Sequence, residues 1–288
     1  MLRRKLRTAL KKRVVFFYEG EDQQEHVRYE YMSYLRYRIL YRSHQSVFIY
    51  EPNEFEVLLR HLREDDVFLD IGADKGFYSL VASDVCKEAH AFEPNAVPLR
   101  ILRRSIETQD IRNIHTFDFG LFSRNQLAHL KLSRGKVILN KSPDFSIKQT
   151  DRGSIDAGDL AFPEIELRVF DEIRSDIGIN RVDFIKMDIE GAELHAIRGM
   201  RNTISESRPR ILLSVHPSKM VPFGHHHLDL LSELRNMGYS YRMISGSTQD
   251  LSNRNLMANY TIFASSELES GQMSRDPKSH TLETVKGN

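Results

Sequence analysis

The sequence predicts an α/β fold of Rossmann type, a mostly parallel seven-stranded sheet with helices on both faces. Three observations carry this. Strand-like apolar runs alternate with helix-length stretches from residue 54 onward. The run 67–71 ends in an acid, Asp70, and an isoleucine. It then opens into the turn Gly72-Ala73-Asp74-Lys75-Gly76, and a helical pattern follows (Phe77, Leu80, Val81). A second run closes on Glu93, and an acid about 20 residues beyond such a turn is placed to accept hydrogen bonds from the ribose hydroxyls of a nucleoside-type cofactor.

The elements follow in order. Residues 1–13 carry seven Lys/Arg and no acid, with Leu2, Leu6 and Leu10 at helical spacing. They read as a short basic amphipathic helix: a weak membrane-surface contact, a presequence-like segment or a solvated terminus. Residues 18–50 hold seven of the eleven tyrosines. Tyr34, Tyr37 and Tyr41 share one helical face, interleaved with Arg36, Arg38 and Arg42. Such a stripe more often packs a cap helix than binds sugars or single-stranded nucleic acid. Residues 1–50 thus read as a basic, tyrosine-rich, helical extension. It holds 11 Lys/Arg against 5 Asp/Glu, net +6, and the rest of the chain holds 30 against 35, net −5.

In the expected main domain, residues 51–264, strands are predicted at 67–71, 89–93, 114–119, 182–188, 211–216, 239–244 and 260–264. Helices are predicted at 54–63, 76–86, 95–108, 191–204 and 227–237. The last two strands lack a helix between them, which suits an antiparallel final strand. Residues 124–169 interrupt the rhythm with a hairpin, 127–132 and 136–139 around Arg134-Gly135. An insertion there overhangs the cofactor end of the sheet and is a candidate substrate lid. Residues 265–288 are polar and read as disordered.

Composition narrows the classes. A hydrophobic content of 40% suffices for a core, 28% charge gives a soluble surface, and net +1 carries no nucleic-acid signature. Cys86 is the one cysteine, so no internal disulfide is possible; a reducing, cytoplasmic location is expected. No apolar stretch approaches the length of a membrane-spanning helix.

The turn also discriminates between cofactors. A dinucleotide site wants G-x-G-x-x-G facing a pyrophosphate, whereas here Gly72 and Gly76 stand four apart beside Asp70. A carboxylate there repels pyrophosphate and suits the cationic S-adenosylmethionine. A second constellation reads Val-Asp-Phe-Ile-Lys-Met-Asp-Ile-Glu-Gly-Ala-Glu over residues 182–193. On a strand Lys186, Asp188 and Glu190 share one side, converging at the carboxyl edge either as an ion-pair cluster or as a catalytic set. His216 ends the following run and is a candidate base, with Asp188 and Glu190. His225, His226 and His227 point apart in any regular element and predict no metal site. Asp188 and Glu190 could also hold Mg²⁺, but two carboxylates without a third ligand do not by themselves predict a metal site.

These residues resemble the FkbM family of S-adenosylmethionine-dependent methyltransferases. The resemblance rests on three blocks and covers about residues 50–217. The blocks are Asp70-Ile71-Gly72-Ala73 with Gly76, Tyr78 and Ser79; Phe92-Glu93-Pro94-Asn95; and Lys186-Met187-Asp188-Ile189-Glu190-Gly191-Ala192-Glu193. It implies a class I methyltransferase sheet and transfer usually to a hydroxyl of a sugar, glycan or natural product. It adds Ala73, Asp74, Tyr78, Asn95 and Asp118 to the candidate cofactor residues. Two positions depart from the pattern: Asp74 stands where members usually carry Asn, and Ser214-Val215-His216 lacks the glutamate many carry before the histidine. A non-catalytic cofactor-binding module docking through its basic N-terminus is the alternative.

Overall fold

The computed structural model describes residues 13–19, 25–32, 47–48, 51–133, 136–139, 164–246 and 250–266. All but residue 13 of the segment 1–13 expected as a basic helix, the tyrosine stripe at 34–41, the Arg134-Gly135 turn, residues 140–163 of the insertion expected as a lid and the tail beyond 266 lie outside these.

Where the N-terminal region is described it is strand, not helix. β1 (Arg13–Glu19), β2 (His26–Met32) and β3 (Val47–Phe48) pair antiparallel in the order β2-β1-β3. The reason is local: Val14-Val15-Phe16-Phe17-Tyr18 is a run of β-branched and aromatic residues, and Val27, Tyr29 and Tyr31 alternate onto one face. The charge pattern around them hid a period of two.

Next come α1 (Pro52–His61), β4 (Val67–Ile71), α2 (Phe77–Ser83), β5 (Glu88–Phe92), α3 (Ala96–Thr108) and β6 (Ile114–Phe117). β7 (Gly120–Leu121), β8 (Gln126–Ser133), β9 (Lys136–Leu139) and β10 (Glu164–Arg168) make a second sheet in the order β7-β10-β8-β9. The predicted hairpin is β8 with β9; β10, absent from the sequence reading, returns antiparallel to β8 and parallel to β7. The chain continues through α4 (Phe170–Ile173), β11 (Phe184–Met187), α5 (Glu193–Gly199), α6 (Arg201–Ser207), β12 (Arg210–Val215), α7 (Pro217–Met220), α8 (His227–Asn236), β13 (Ser240–Gly246) and β14 (Tyr260–Ser265).

The main sheet runs β13-β14-β12-β11-β4-β5-β6, and β14 alone is antiparallel to its neighbours. That is the order and polarity of a class I methyltransferase. The strands alternate their side chains between two apolar layers. Leu69, Ile71, Met187 and Leu213 face α5, α6 and α8; Phe68, Phe184 and Leu212 face α1, α2 and the N-terminal sheet. Burial on both faces is why these runs are continuously apolar rather than alternating. The helix expected at 191–204 is two, broken at Met200. There Gly199 lies so close to the backbone of Phe122 that an added Cβ would stand 1.9 Å from its carbonyl oxygen. Among the described residues no helix is long and apolar enough to cross a membrane.

Candidate active site

Five parallel strands end on one edge of the sheet, and each delivers a candidate residue there. β4 delivers the glycine turn, β5 Glu93, β6 Asp118, β11 Asp188 and β12 His216. The sheet brings together what the sequence spreads from Gly72 to His216.

On the cofactor side, the amides of Gly72 and Ala73 donate to the carbonyl of Phe92 (2.9 and 3.1 Å), tying the β4 turn to the end of β5. Glu93 accepts from the amides of Asp74 (2.9 Å) and Asn95 (2.8 Å), so its carboxylate is fixed. Burial pushes Glu93 up to about 7; the two amide bonds oppose the rise, and Asp74 and Asp70 add to it. Gly72 and Gly76 both hold positive φ, but the space beside them is filled by the protein itself. A Cβ on Gly72 would stand 2.1 Å from the carbonyl oxygen of Asp188, and one on Gly76 would stand 2.2 Å from Leu102. These glycines therefore serve packing as well as any ligand: Gly72 lies on the turn after β11, and Gly76 lies on the Leu102 side chain of α3.

Three predicted cofactor residues have other employment. Asp70 is 2% exposed and accepts from the amide and hydroxyl of Ser79 (2.9 and 2.6 Å), holding the first turn of α2 beneath the site. Burial raises its carboxyl to about 6, against Ser79 and Lys186. Tyr78 is buried, stacks on Phe55 at 4.4 Å and donates to Glu51. Asn95 caps α3, its side chain accepting from the amide of Val97 (3.1 Å). Asp118 lies at the rim, 3.7 Å from Arg103, and Asp74 is half exposed. Ala73 is buried.

On the acceptor side, β11 stops at Met187, so strand alternation does not carry Asp188 and Glu190 to one side. A tight turn does. Glu190 holds a positive φ of 57°, costly for a residue with a side chain, and Gly191 follows at 106° with its Cβ space filled by the backbone of Lys219. Glu190 pairs with the ammonium of Lys219. Lys186 is 1% exposed and lies beneath the site rather than in it. Its ammonium donates to Ser214 Oγ (2.9 Å) and Asp188 Oδ2 (3.4 Å), under the ring of Tyr78 at 4.8 Å. Burial alone would raise Asp188, but Lys186 and His216 prevail and hold it below the usual carboxylate range.

His216 stands between three acids. Its Nδ1 is 2.7 Å from Glu193 Oε1, and its Nε2 is 3.5 Å from Asp188 Oδ1 and 3.8 Å from Glu190 Oε2. Burial and Lys186 work to lower its pKa, yet Glu193 and Asp188 raise it above its ordinary value. Glu193 itself was absent from the predicted set, although it closes the third motif block; only the packing of α5 against β12 reveals its partner. Asp188, Glu190 and His216 turn ligand-type atoms to within 4.8 Å of one another. Lys186 and Lys219 already pair with the two carboxylates. The three consecutive histidines separate as expected. His225 lies tilted against the His195 ring (4.9 Å), His226 caps α8, and His227 bonds Tyr260 and the carbonyl of Asn253.

Carboxylates outnumber cations around the edge: Glu51, Asp70, Glu93, Asp188, Glu190 and Glu193 face Lys186, Lys219 and His216. Such a donor set fits a cofactor bearing sulfonium and ammonium charges. The family comparison agrees, since the methyltransferase FkbM domain model matches residues 70–241. The curated methyltransferase sdnD of Sordaria araneosa is 24% identical over 163 residues, 49% of this chain; the chain spans 63% of that relative's length. Among solved structures, the FkbM methyltransferase of Methylobacillus flagellatus KT is 22% identical with a TM-score of 0.43, covering 69% of this chain and 43% of that one. SMU.1697c of Streptococcus mutans, solved with S-adenosylhomocysteine, is 12% identical with a TM-score of 0.44, covering 76% of this chain and 99% of that one. With its sheet order and three motif blocks in place, this chain belongs to the FkbM methyltransferase family, whose cofactor is S-adenosylmethionine.

Proposed function

We propose that the protein methylates a hydroxyl oxygen of a sugar, glycan or natural-product acceptor, with His216 as general base. The observation that supports this is the His216 environment. An imidazole whose Nδ1 is held by a carboxylate presents a free Nε2 lone pair, and here Nε2 faces the mouth of the cluster between Asp188 and Glu190. When bound, S-adenosylmethionine supplies an electrophilic methyl carbon whose bond to sulfur breaks, with its electron pair, as the acceptor oxygen attacks. The chain's own part is to hold and deprotonate. Glu93, fixed by the amides of Asp74 and Asn95, would hold the ribose hydroxyls beside the Gly72 turn. Asp188, kept ionised by Lys186, accepts a hydrogen bond that aims the acceptor hydroxyl, and His216 Nε2 takes its proton. Positioning supplies much of the acceleration in such a displacement.

The second sheet supports an acceptor side at this place. Ile165 and Leu167 of β10 and Phe122 pack with Ile189 and Phe223, on either side of the Glu190 turn. An acceptor would enter between that sheet and His216. The reading is tested by calorimetry with S-adenosylhomocysteine, S-adenosylmethionine and NAD(P), followed by a screen of hydroxylated acceptors for gain of one methyl group by mass. The first two should bind and NAD(P) should not. Absence of S-adenosylhomocysteine binding overturns the reading; methylation at nitrogen only overturns its oxygen-specific part.

A further inference from the structure

Glu193 is a buried acid with an unusual balance of partners. It is 0% exposed, and one oxygen, Oε1, takes both the amide of Gly191 (3.0 Å) and Nδ1 of His216 (2.7 Å). The other oxygen, Oε2, is buried with no hydrogen-bond partner. A carboxylate in that position is expensive unless a positive charge stands beside it. The neighbour that can supply one on demand is His216, neutral before proton transfer and cationic after it.

We propose that Glu193 is the positioning residue for the base: it fixes His216 as the Nδ1–H tautomer and stabilises the imidazolium formed when Nε2 accepts the acceptor's proton. This rests on His216 being the base. Acids flank both ring nitrogens, but the close contact is at Nδ1: Glu193 stands at 2.7 Å, whereas Asp188 and Glu190 stand 3.5 and 3.8 Å from Nε2. Oε1 can only accept, so the shared proton belongs to Nδ1 and the lone pair to Nε2. Every other charged group facing the ring approaches from the Nε2 side or through a neighbour. Asp188 and Glu190 face Nε2; Lys186 acts across Asp188; Lys219 is engaged with Glu190. Tyr260 lies in the field of Glu193 but is bonded to His227. Gly191 is part of the device, because its amide holds the carboxylate in line while its positive φ sets the Glu190 turn. A carboxylate behind an imidazole is worth most in the charged state, which lowers the barrier rather than tightening ground-state binding.

The test needs no acceptor. Full-length protein carrying ¹⁵N-labelled histidine is titrated by long-range imidazole NMR, with the His216 signals assigned by their loss in His216→Ala. The expected wild-type pattern is protonated Nδ1 and unprotonated Nε2 at high pH, with a midpoint above about 6.5. Glu193→Gln, which keeps an acceptor oxygen but removes the charge, should lower that midpoint by about one unit or more. Glu193→Asp should recover part of the shift. S-adenosylhomocysteine affinity, measured on the same samples, should change less than about threefold, since the hydrogen bonds of Glu193 go to His216 and the Gly191 amide and not to the Gly72 turn or Glu93. An Nε2–H tautomer in the wild type overturns the proposal even if no variant folds, and so does an unmoved midpoint in Glu193→Gln. Failure of wild-type protein to bind S-adenosylhomocysteine would instead sink the methyltransferase reading and leave the Glu193–His216 pair standing.

Discussion

The acids of this site are distinguished by environment rather than by type. Glu93, pushed up to about 7 by burial, is partly protonated at neutral pH, whereas Asp188 stays ionised beside Lys186. If ribose hydroxyls bind the ionised form of Glu93, S-adenosylhomocysteine affinity should rise roughly tenfold between pH 6 and pH 8, following the ionised fraction. Calorimetry at both pH values should show that slope, and Glu93→Gln should flatten it. Loss of the charge-assisted contacts in Glu93→Ala, worth about 1.5–3 kcal/mol, should weaken binding on the order of tenfold to a hundredfold. The stability sign is the opposite. A carboxyl raised in the folded state binds its proton more tightly there than in the unfolded chain. The cofactor-free protein should therefore lose stability from this group as pH climbs from its ordinary value of 4.5 toward 7. His216 is raised as well, so its contribution to stability is complete below 6.5 and fades as pH passes through the raised value. With His216 as the proposed base, turnover should climb over that same alkaline interval. His216→Ala should cost about 10²–10⁴ in turnover with cofactor affinity retained, and Asp188→Asn should cost turnover by misaiming the hydroxyl. Full turnover in both variants would remove these residues from the chemistry.

At the level of elements, the site is made by turns pressed against one another. The Gly72 turn after β4 lies on the carbonyl of Asp188 after β11, and the Gly191 turn lies on α7. Cofactor and acceptor halves are thus one mechanical unit. Gly72→Ala should disturb both, because an added Cβ meets backbone at 2.1 Å and must adopt a φ of 81°. The expected loss is more than about 1 kcal/mol in thermal unfolding, accompanied by weakened S-adenosylhomocysteine binding. The N-terminal sheet is joined to the domain by equally specific contacts. The amide of Val27 donates to Ser105 Oγ (2.8 Å), Gln109 donates to the carbonyl of Val27 (2.9 Å), and Phe16 packs on Phe77 at 4.6 Å. Ser105→Ala should cost on the order of 1–3 kcal/mol by leaving a buried amide unpaired, and the amide of Val27 should lose hydrogen-exchange protection.

For the whole molecule, that docking changes what the extension does. It covers α2 and α3, the helices that follow the two cofactor-binding strands, so it belongs to the cofactor half of the fold. A chain starting at residue 33 should therefore expose Phe55, Phe77 and Leu99 and lose both thermal stability and S-adenosylhomocysteine binding. A chain starting at residue 13, which loses the whole net +6 but none of the strands, should keep both. Equal behaviour of the two truncations in a melting and calorimetry series would show that the N-terminal sheet is dispensable.

What the sequence by itself determined is what depends on local pattern. The continuous apolar runs, the glycine turn and the spacing from Gly72 to Glu93 specify a parallel sheet and a nucleoside cofactor, because buried strands and tight turns restrict composition residue by residue. Asp188 and His216 were legible as strand ends. The β1–β2 hairpin was not, since interleaved charges masked its alternation, and β10 was not, since its partners β7 and β8 are distant from it in the chain. The employment of each acid was decided only by tertiary structure. Asp70, Glu93, Glu190 and Glu193 are alike in sequence, and packing alone sends one to Ser79, one to two amides, one to Lys219 and one to His216. Burial and the nearest charge set a carboxylate's chemistry, and both are properties of contacts that the linear chain does not contain.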